Sequence, residues 1–470
     1  MPDADRPASP ASPASPASPA SPASSSASST SPALPTSGWH RRVLALAFPI
    51  ILANLTQPIL GAVDTAVAGH LPDPAYLGGV AAGGLFFSFV FWGFGFLRMG
   101  TTGLVAQAYG ARDGATLRAT LVRALLLATV IGLGVLAVQM PLVHGALGLI
   151  GGSDTLQHHA RVYSHARIWA APFALCNYVV LGYLLGCQHV RLGLLTQLFI
   201  NAVNIGAVLL YVYVFDWGIA GIGAATATAD ACGFVLGAAL LWRLRPHGLP
   251  PLRWAVVADA HELKRLVALN RDIFIRTLCL VASFGWFAHA GAKQGDVILA
   301  ANALLLNFQT FMAYALDGFA HAAEALVGAA IGTRDRHAFR RAVRVTMIWA
   351  AVGALCFSLV YASAGEWIIA CLTDQRAVHD AAVRYLPWAV ALPLVSVWGF
   401  LLDGVFIGAT RTRELMHSMA LSFAAFMAAA LALAGPFGND GLWAALLLFM
   451  AARGITLARV LPRIDASRLA

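Results

Sequence analysis

After position 42 the chain is a succession of long apolar runs separated by short polar or basic connections. Each run reaches the roughly 20 residues that an α-helix needs to cross a bilayer. The pattern predicts twelve spans, near 43–69, 77–109, 117–143, 162–187, 192–214, 218–243, 264–290, 297–331, 343–363, 383–408, 414–435 and 440–461. The second and eighth are longer than one crossing. Both carry Gly or polar residues near the middle (Gly93, Gly95, Gly100, Gly103; Asp317, Gly318), so a break or bend is expected in each.

Composition agrees with the pattern. Of 470 residues 59% are apolar and 11% charged, against roughly 45–50% and 25% in a soluble chain. So few charges cannot cover a water-exposed surface of this size, and an all-α integral membrane protein follows. Residues 1–38 are different: almost wholly Pro, Ala and Ser, with a repeated Ala-Ser-Pro triplet, they cannot bury enough apolar surface to order and are expected to be a disordered tail. The tail lacks an apolar core with a cleavage site, so no secretory signal is read there. The six cysteines show no paired spacing for a metal or a disulfide framework.

Basic residues set the orientation. With the N-terminus inside, nineteen Lys or Arg fall on the inner side, including Arg41, Arg42, Arg112, Arg334, Arg411 and Arg459, and three (Arg161, Lys293, Arg376) on the outer. The asymmetry places both termini in the cytoplasm and favours an even number of spans. It also accounts for most of the net charge of +9, which therefore points to membrane insertion and not to nucleic acid.

The chain repeats itself. Gly110-Ala111-Arg112-Asp113 with Leu117-Arg118 returns as Gly332-Thr333-Arg334-Asp335 with Phe339-Arg340, an offset of 222. Tyr163, Gly186 and Arg191 return at the same offset as Tyr385, Gly408 and Arg413. Six spans fit within that offset, so the halves share one orientation and are related by a pseudo-two-fold axis along the membrane normal. Secondary transporters use this arrangement, with a site between the halves. It divides the chain into an N-lobe (39–243, helices 1–6), a cytoplasmic linker (244–263) and a C-lobe (264–470, helices 7–12).

A charge at mid-bilayer costs roughly 2.5–3.5 kcal/mol on insertion scales, so intramembrane ionisable residues are functional candidates. Asp64 lies in the first span, with no basic residue beyond the terminal Arg41 and Arg42. Removal from water disfavours its ionised form, which suits proton binding; a hydrogen-bonded acid near the outer membrane edge is the bland alternative. Gln57 shares its helical face, Asn54 lies slightly off it, and Pro49 removes a backbone hydrogen bond that would resist bending. In the fifth span Gln197, Asn201 and Asn204 form one polar stripe. With Asn177 of the fourth span they could bond Asp64 or a ligand, or equally hold helices together.

In the second half Asp317, His321 and Glu324 fall on one helical face, with Asn302, Asn307 and Gln309 earlier in that span, Arg276 in the seventh and Asp403 in the tenth. One such triplet is a weak metal signal. An ion-pair network of Arg276 and Arg98 with these acids, or a second cation or proton site, fits better. Asp230 of the sixth span reads as glue or relay. At the offset of 222 Asp64 maps to Trp286, which confines coupling through that acid to the first lobe. Aromatics such as Phe86, Phe89, Trp92, Phe284 and Phe311 could line a cavity for flat or amphipathic ligands. No Walker loop, GxSxG elbow or HExxH helix occurs, so an ion gradient is the expected energy source and no cofactor is required.

The stretch from Pro49 to Asp113, with Leu60-Gly61-Ala62-Val63-Asp64-Thr65-Ala66-Val67-Ala68-Gly69-His70-Leu71 and Phe96-Leu97-Arg98-Met99-Gly100-Thr101-Thr102-Gly103-Leu104, closely resembles the multidrug and toxic compound extrusion (MATE) transporters, specifically the DinF branch. So do Ala313-Tyr314-Ala315-Leu316-Asp317-Gly318-Phe319-Ala320 and Leu401-Leu402-Asp403-Gly404-Val405-Phe406-Ile407-Gly408. The resemblance runs from about Leu44 to Arg453. It implies two six-helix lobes around a cleft, alternating access, and export of amphipathic, often cationic compounds in exchange for H⁺ or Na⁺. It also implies that Asp64 is the acid whose protonation bends the first helix. Many relatives carry a further acid four residues after the position of Asn204, where this chain has Val208.

The reading is thus a non-enzymatic antiporter of small organic compounds, a multi-pass monomer of the bacterial inner membrane. The alternative on the same superfold is a flippase for a lipid-linked glycan, which needs a basic cavity, and Arg98 and Arg276 are read as the only intramembrane bases. An intramembrane enzyme built on Asp317, His321 and Glu324 is the third class.

Overall fold

The computed structural model describes residues 36–71, 74–245 and 253–467. Residues 1–35 of the expected tail and 246–252 of the linker lie outside them. The described residues are helical nearly throughout: α1 (Thr36–Gly69), α2 (Pro74–Gly93), α3 (Phe96–Gly110), α4 (Gly114–Ala137), α5 (Gln139–Ile150), α6 (Asp154–Arg167), α7 (Ala171–Gly186), α8 (Val190–Leu209), α9 (Gly218–Arg243), α10 (Trp254–Val257), α11 (Ala260–Ala292), α12 (Asp296–Gly332), α13 (Arg336–Leu372), α14 (Arg376–Gly408) and α15 (Thr412–Ser467). Within lipid this is the open-chain structure that satisfies every backbone polar group internally.

Among the described residues eleven helical segments are long and apolar enough to cross a membrane. The last, Thr412–Ile464, is two spans in antiparallel contact: the chain leaves helical geometry at Gly438 (φ 56°), and Ser418 then hydrogen-bonds Thr456 while the Phe426 and Phe449 rings meet at 5.8 Å. Twelve spans result, as expected. The break expected in the second span is present, since α2 and α3 are separate helices joined at Phe94-Gly95. The break expected in the eighth is not, and α12 runs unbroken past Asp317 and Gly318. Gly318 serves packing instead: a Cβ there would lie 2.3 Å from Ile51 Cγ1 and 3.0 Å from the Ala47 carbonyl of α1. α1 itself continues as helix through Pro49 and Pro58.

The repeat is built into the backbone. Asp113 and Asp335 each cap the helix that follows, accepting from the amide of Thr116 (3.0 Å) and of Ala338 (2.9 Å). The hydrogen bonds from Thr116 hold the Asp113 carboxyl below the usual carboxylate range. The residue before each cap is left-handed, Arg112 at φ 55° and Arg334 at φ 56°. The close helix contacts correspond as well. Gly186 packs on the Thr102 carbonyl (2.9 Å to an added Cβ) as Gly408 packs on the Glu324 carbonyl (2.4 Å).

The two lobes touch where the repeated motifs end. Gly110 of α3 lies against α12, with an added Cβ 2.1 Å from the Ala329 carbonyl oxygen, and Gly332 of α12 lies against α3, with an added Cβ 2.0 Å from the Gln107 carbonyl oxygen. Gln107 Nε2 donates across the junction to the Gly408 carbonyl at 2.9 Å. α1 belongs to both sides. Trp39, Val43, Leu46, Ala47 and Ile50 pack into the large C-lobe core, whereas Val67 and Ala68 join the N-lobe core around Phe87, Tyr163 and Val208.

Gly332→Ala is expected to lower the thermal unfolding midpoint of the purified protein, because the clash is with backbone and cannot be relieved by a rotamer. A cost of about 1–3 kcal/mol is the scale of such overpacking. Gly134→Ala, with nothing within 4 Å of the new Cβ, is the control and should match or exceed wild type.

Candidate functional site: an inter-lobe cavity

Between the lobes lies a cavity of about 790 Å³ lined from both halves. No lining residue comes from the last two turns of α3 or of α12, so the contact between Gly110 and Gly332 seals that end. From the N-lobe the polar wall comprises Gln57, Arg98, Arg167, Asn177, Gln197, Asn201, Asn204 and Asp230; from the C-lobe, Arg276, Gln309, Asp317, His321, Glu324 and Asp403. Phe89, Trp92 and Phe284 line it as expected. Phe86 instead packs in the N-lobe core, and Phe311 is an exposed residue outside the cavity.

The amides do different work from that allowed for Asp64. Asn201 donates to Thr56 Oγ1 of α1 at 2.8 Å and accepts from Gln197 at 3.1 Å. Asn204 donates to Thr226 of α9 at 3.1 Å, and Asn177 donates to the carbonyl of Asp230 at 2.9 Å and to its carboxylate at 3.3 Å. They tie helices together while presenting a polar surface, and none bonds Asp64. Asn54 is likewise displaced from the expected set: it donates to the Tyr314 carbonyl of α12 at 3.1 Å and lines a separate pocket of about 60 Å³.

Asp64 is half-buried and is not among the residues lining the cavity. Its Oδ1 is enclosed without a hydrogen-bond partner. The cation whose charge reaches it is Arg167, which makes no ion-pair contact with it. Arg167 donates to the Tyr163 hydroxyl, stands over the Phe87 ring at 4.8 Å, and acts on Asp230 as well. It connects the enclosed acid electrostatically to the cavity wall. Sequence reading missed Arg167, and Arg453 too. The premise that Arg98 and Arg276 are the only intramembrane bases is therefore corrected. An Arg inside an apolar run was the available signal at both positions.

The C-lobe acids separate into two groups. Asp403 accepts from Arg453 at 2.7 Å and from Arg276, all three being buried. Glu324 lies 3.8 Å from Arg98 and 3.6 Å from His321 Nδ1. Asp317 faces the cavity between them, within reach of the charges of Arg98, Arg276, Asp403 and Arg453 but in contact with none of these. Among the described residues no three His, Cys, Asp or Glu converge to hold a metal ion. All three residues of the triplet at 317, 321 and 324 line the cavity, and His321 and Glu324 also make the inter-lobe contact with Arg98. Asn302 is structural: it exchanges hydrogen bonds with Asn439 at 2.7 and 2.9 Å and accepts from Trp443.

Repeated six-helix lobes around a polar cavity, sealed at one end, define a membrane transporter. A family model described as MatE matches residues 49–212 and again 274–431, one match for each half. Over 423 residues the chain is 43% identical to DNA damage-inducible protein F of Escherichia coli, covering 90% of this chain and 91% of that protein. It is 25% identical over 439 residues, 90% of this chain and 94% of the other, to the probable multidrug resistance protein NorM of Acinetobacter baylyi. Its fold matches a MATE structure in the bent conformation with a TM-score of 0.82 at 16% identity, covering 92% of this chain and 98% of that one. An outward-facing MATE family transporter matches with a TM-score of 0.81 at 16% identity, covering 91% and 96%. The chain belongs to the MATE family of multidrug efflux transporters, on its DinF-like branch, and is a transporter and not an enzyme.

Proposed function

We propose that this protein exports amphipathic organic cations in exchange for protons, with Asp64 as the coupling acid. The observation that carries the reading is an enclosed carboxyl oxygen with neither a hydrogen bond nor an ion pair, on a helix whose inner half packs in the C-lobe core and whose outer half packs in the N-lobe core. Neutralising Asp64 removes its attraction to Arg167 and frees the outer half of α1 to shift. Gln57 and Leu60 of that half line the cavity, so the shift changes the space left for substrate. Pro49 has no amide hydrogen for the Ala45 carbonyl, so α1 lacks one rung where the bend is proposed. Asp317, a cavity-facing acid without an ion-pair contact, and the aromatic wall of Phe89, Trp92 and Phe284 suit a flat cation.

The proposed setting is the bacterial inner membrane, with both termini cytoplasmic and a monomer as the unit. The lobes are 39–243 and 264–470 with the linker 244–263 between them, and the sealed end of the cavity is the cytoplasmic one. The test uses purified wild type in liposomes loaded with a fluorescent organic cation. Transport should follow an imposed pH gradient and be indifferent to a Na⁺ gradient. Transport driven by Na⁺ at equal pH on both sides removes the proton from the mechanism.

A further inference from the structure

Two buried carboxylates of the C-lobe are held in opposite ways. Asp403 is gripped by Arg276 of α11 and Arg453 of α15. Glu324 is 1% exposed, and beside it the Thr102 hydroxyl of α3 is turned to the Arg98 carbonyl, to which it donates at 2.8 Å. Its cation is Arg98 Nη1 at 3.8 Å, which α3 supplies from the other lobe. His321 Nδ1 lies 3.6 Å from the same carboxylate oxygen and 3.4 Å from Arg98 Nη1. A guanidinium can only donate, so Nδ1 presents its lone pair to Arg98 and the imidazole proton sits on Nε2. His321 therefore gives Glu324 no donor at that contact.

The cation beside Glu324 is Arg98 of α3, and the other acid on its own helix is Asp317. α14 packs alongside, and its acid there, Asp403, is already held by two guanidiniums. Among the described residues no ion pair reaches Glu324 from α1, α7 or α13.

α3 and α12 are the helices that meet at the sealed end, so parting the lobes there draws Arg98 away from Glu324. A carboxylate this enclosed cannot stay ionised without its cation. We infer that Glu324, with Arg98 and His321, is a second proton site that gates the sealed end: ionised and paired while that end is closed, protonated while it is open. The step is a proton transfer alone. A proton from the cavity, which His321 lines, bonds to the carboxyl and releases Arg98; on reclosure Arg98 returns and the proton leaves. The inference rests on the antiport reading above.

The experiment places nitroxide labels at Ala115→Cys and His337→Cys, exposed positions 222 residues apart at the starts of the helices that follow α3 and α12. The six native cysteines are replaced, and label distances are recorded in lipid nanodiscs across pH. In wild type the longer distance gains population as pH falls. Glu324→Gln should hold that population at every pH, raised about tenfold over wild type at neutral pH, and Arg98→Gln should move the acid transition to higher pH. Asp64→Asn should keep the response of the gate while losing proton-driven efflux. A wild-type pH response in both Glu324→Gln and Arg98→Gln overturns the gate, and antiport through Asp64 survives if Asp64→Asn still loses efflux. Should Glu324→Gln fail to fold, Arg98→Gln alone decides. Proton-driven efflux undiminished in Asp64→Asn removes the antiport reading itself.

Discussion

Asp64→Asn is expected to abolish proton-driven efflux, by about 100-fold in initial rate if the full coupling energy of a transport cycle is lost, while leaving the protein folded. The amide has nearly the shape of the carboxyl but cannot exchange a proton. Oδ1 has no hydrogen bond to lose and the side chain no ion pair, so the stability change should stay within about 1 kcal/mol. Side-by-side efflux rates and thermal midpoints check both halves of the expectation. A fall in efflux that tracks a fall in midpoint would mean that Asp64 is structural. Arg167 gives a second handle. Replacing it with Met removes the cation that reaches Asp64 and leaves Tyr163 without its donor, so proton-driven efflux should shift in pH without vanishing.

The fold was legible because lipid imposes one requirement that sequence records directly: apolar runs of sufficient length with basic flanks. The repeat was legible for a related reason. Asp113 and Asp335 are caps and Gly110 and Gly332 are backbone crossings, roles that only a few residue types fill. Where sequence reading failed, the residue had two physical uses. Gly318 was read as marking a break or a bend, and in a helix that runs unbroken it is a packing surface for Ile51. The amides at 177, 201 and 204 were read as equally ligand-binding or adhesive, and they tie helices while also facing the cavity. Which face a side chain presents depends on helix rotation, and periodicity fixes that only relative to its own helix. For the same reason Asp317 and Glu324 looked alike along α12, although only Glu324 is in contact with Arg98 of α3 and Asp317 stands in the wider cavity. The charge of Arg453 could not be matched to Asp403 without the packing of α14 against α15.

That pairing sets the largest expected loss of stability. Asp403→Ala leaves Arg276 and Arg453 buried and facing the same void, where Asp317 is in contact with neither. Removing one partner of a buried ion pair typically costs about 3–5 kcal/mol, since the remaining charge is uncompensated. Here two charges remain, so the upper part of that range is expected, read as a large fall in the thermal midpoint and in the yield of monodisperse protein. Arg453→Met should cost less. It leaves the contact between Arg276 and Asp403 in place, and its unbranched side chain can occupy the apolar space between Phe400 and Phe449, over whose rings the guanidinium now stands at 5.3 and 5.6 Å. The order of the two variants discriminates. If Arg453→Met is the more damaging, the guanidinium holds α15 through its aromatic contacts, and Asp403 is secondary. If Asp403→Ala is the more damaging, the acid is the hub that joins α11, α14 and α15, and a fixed C-lobe is the rigid body against which α1 moves.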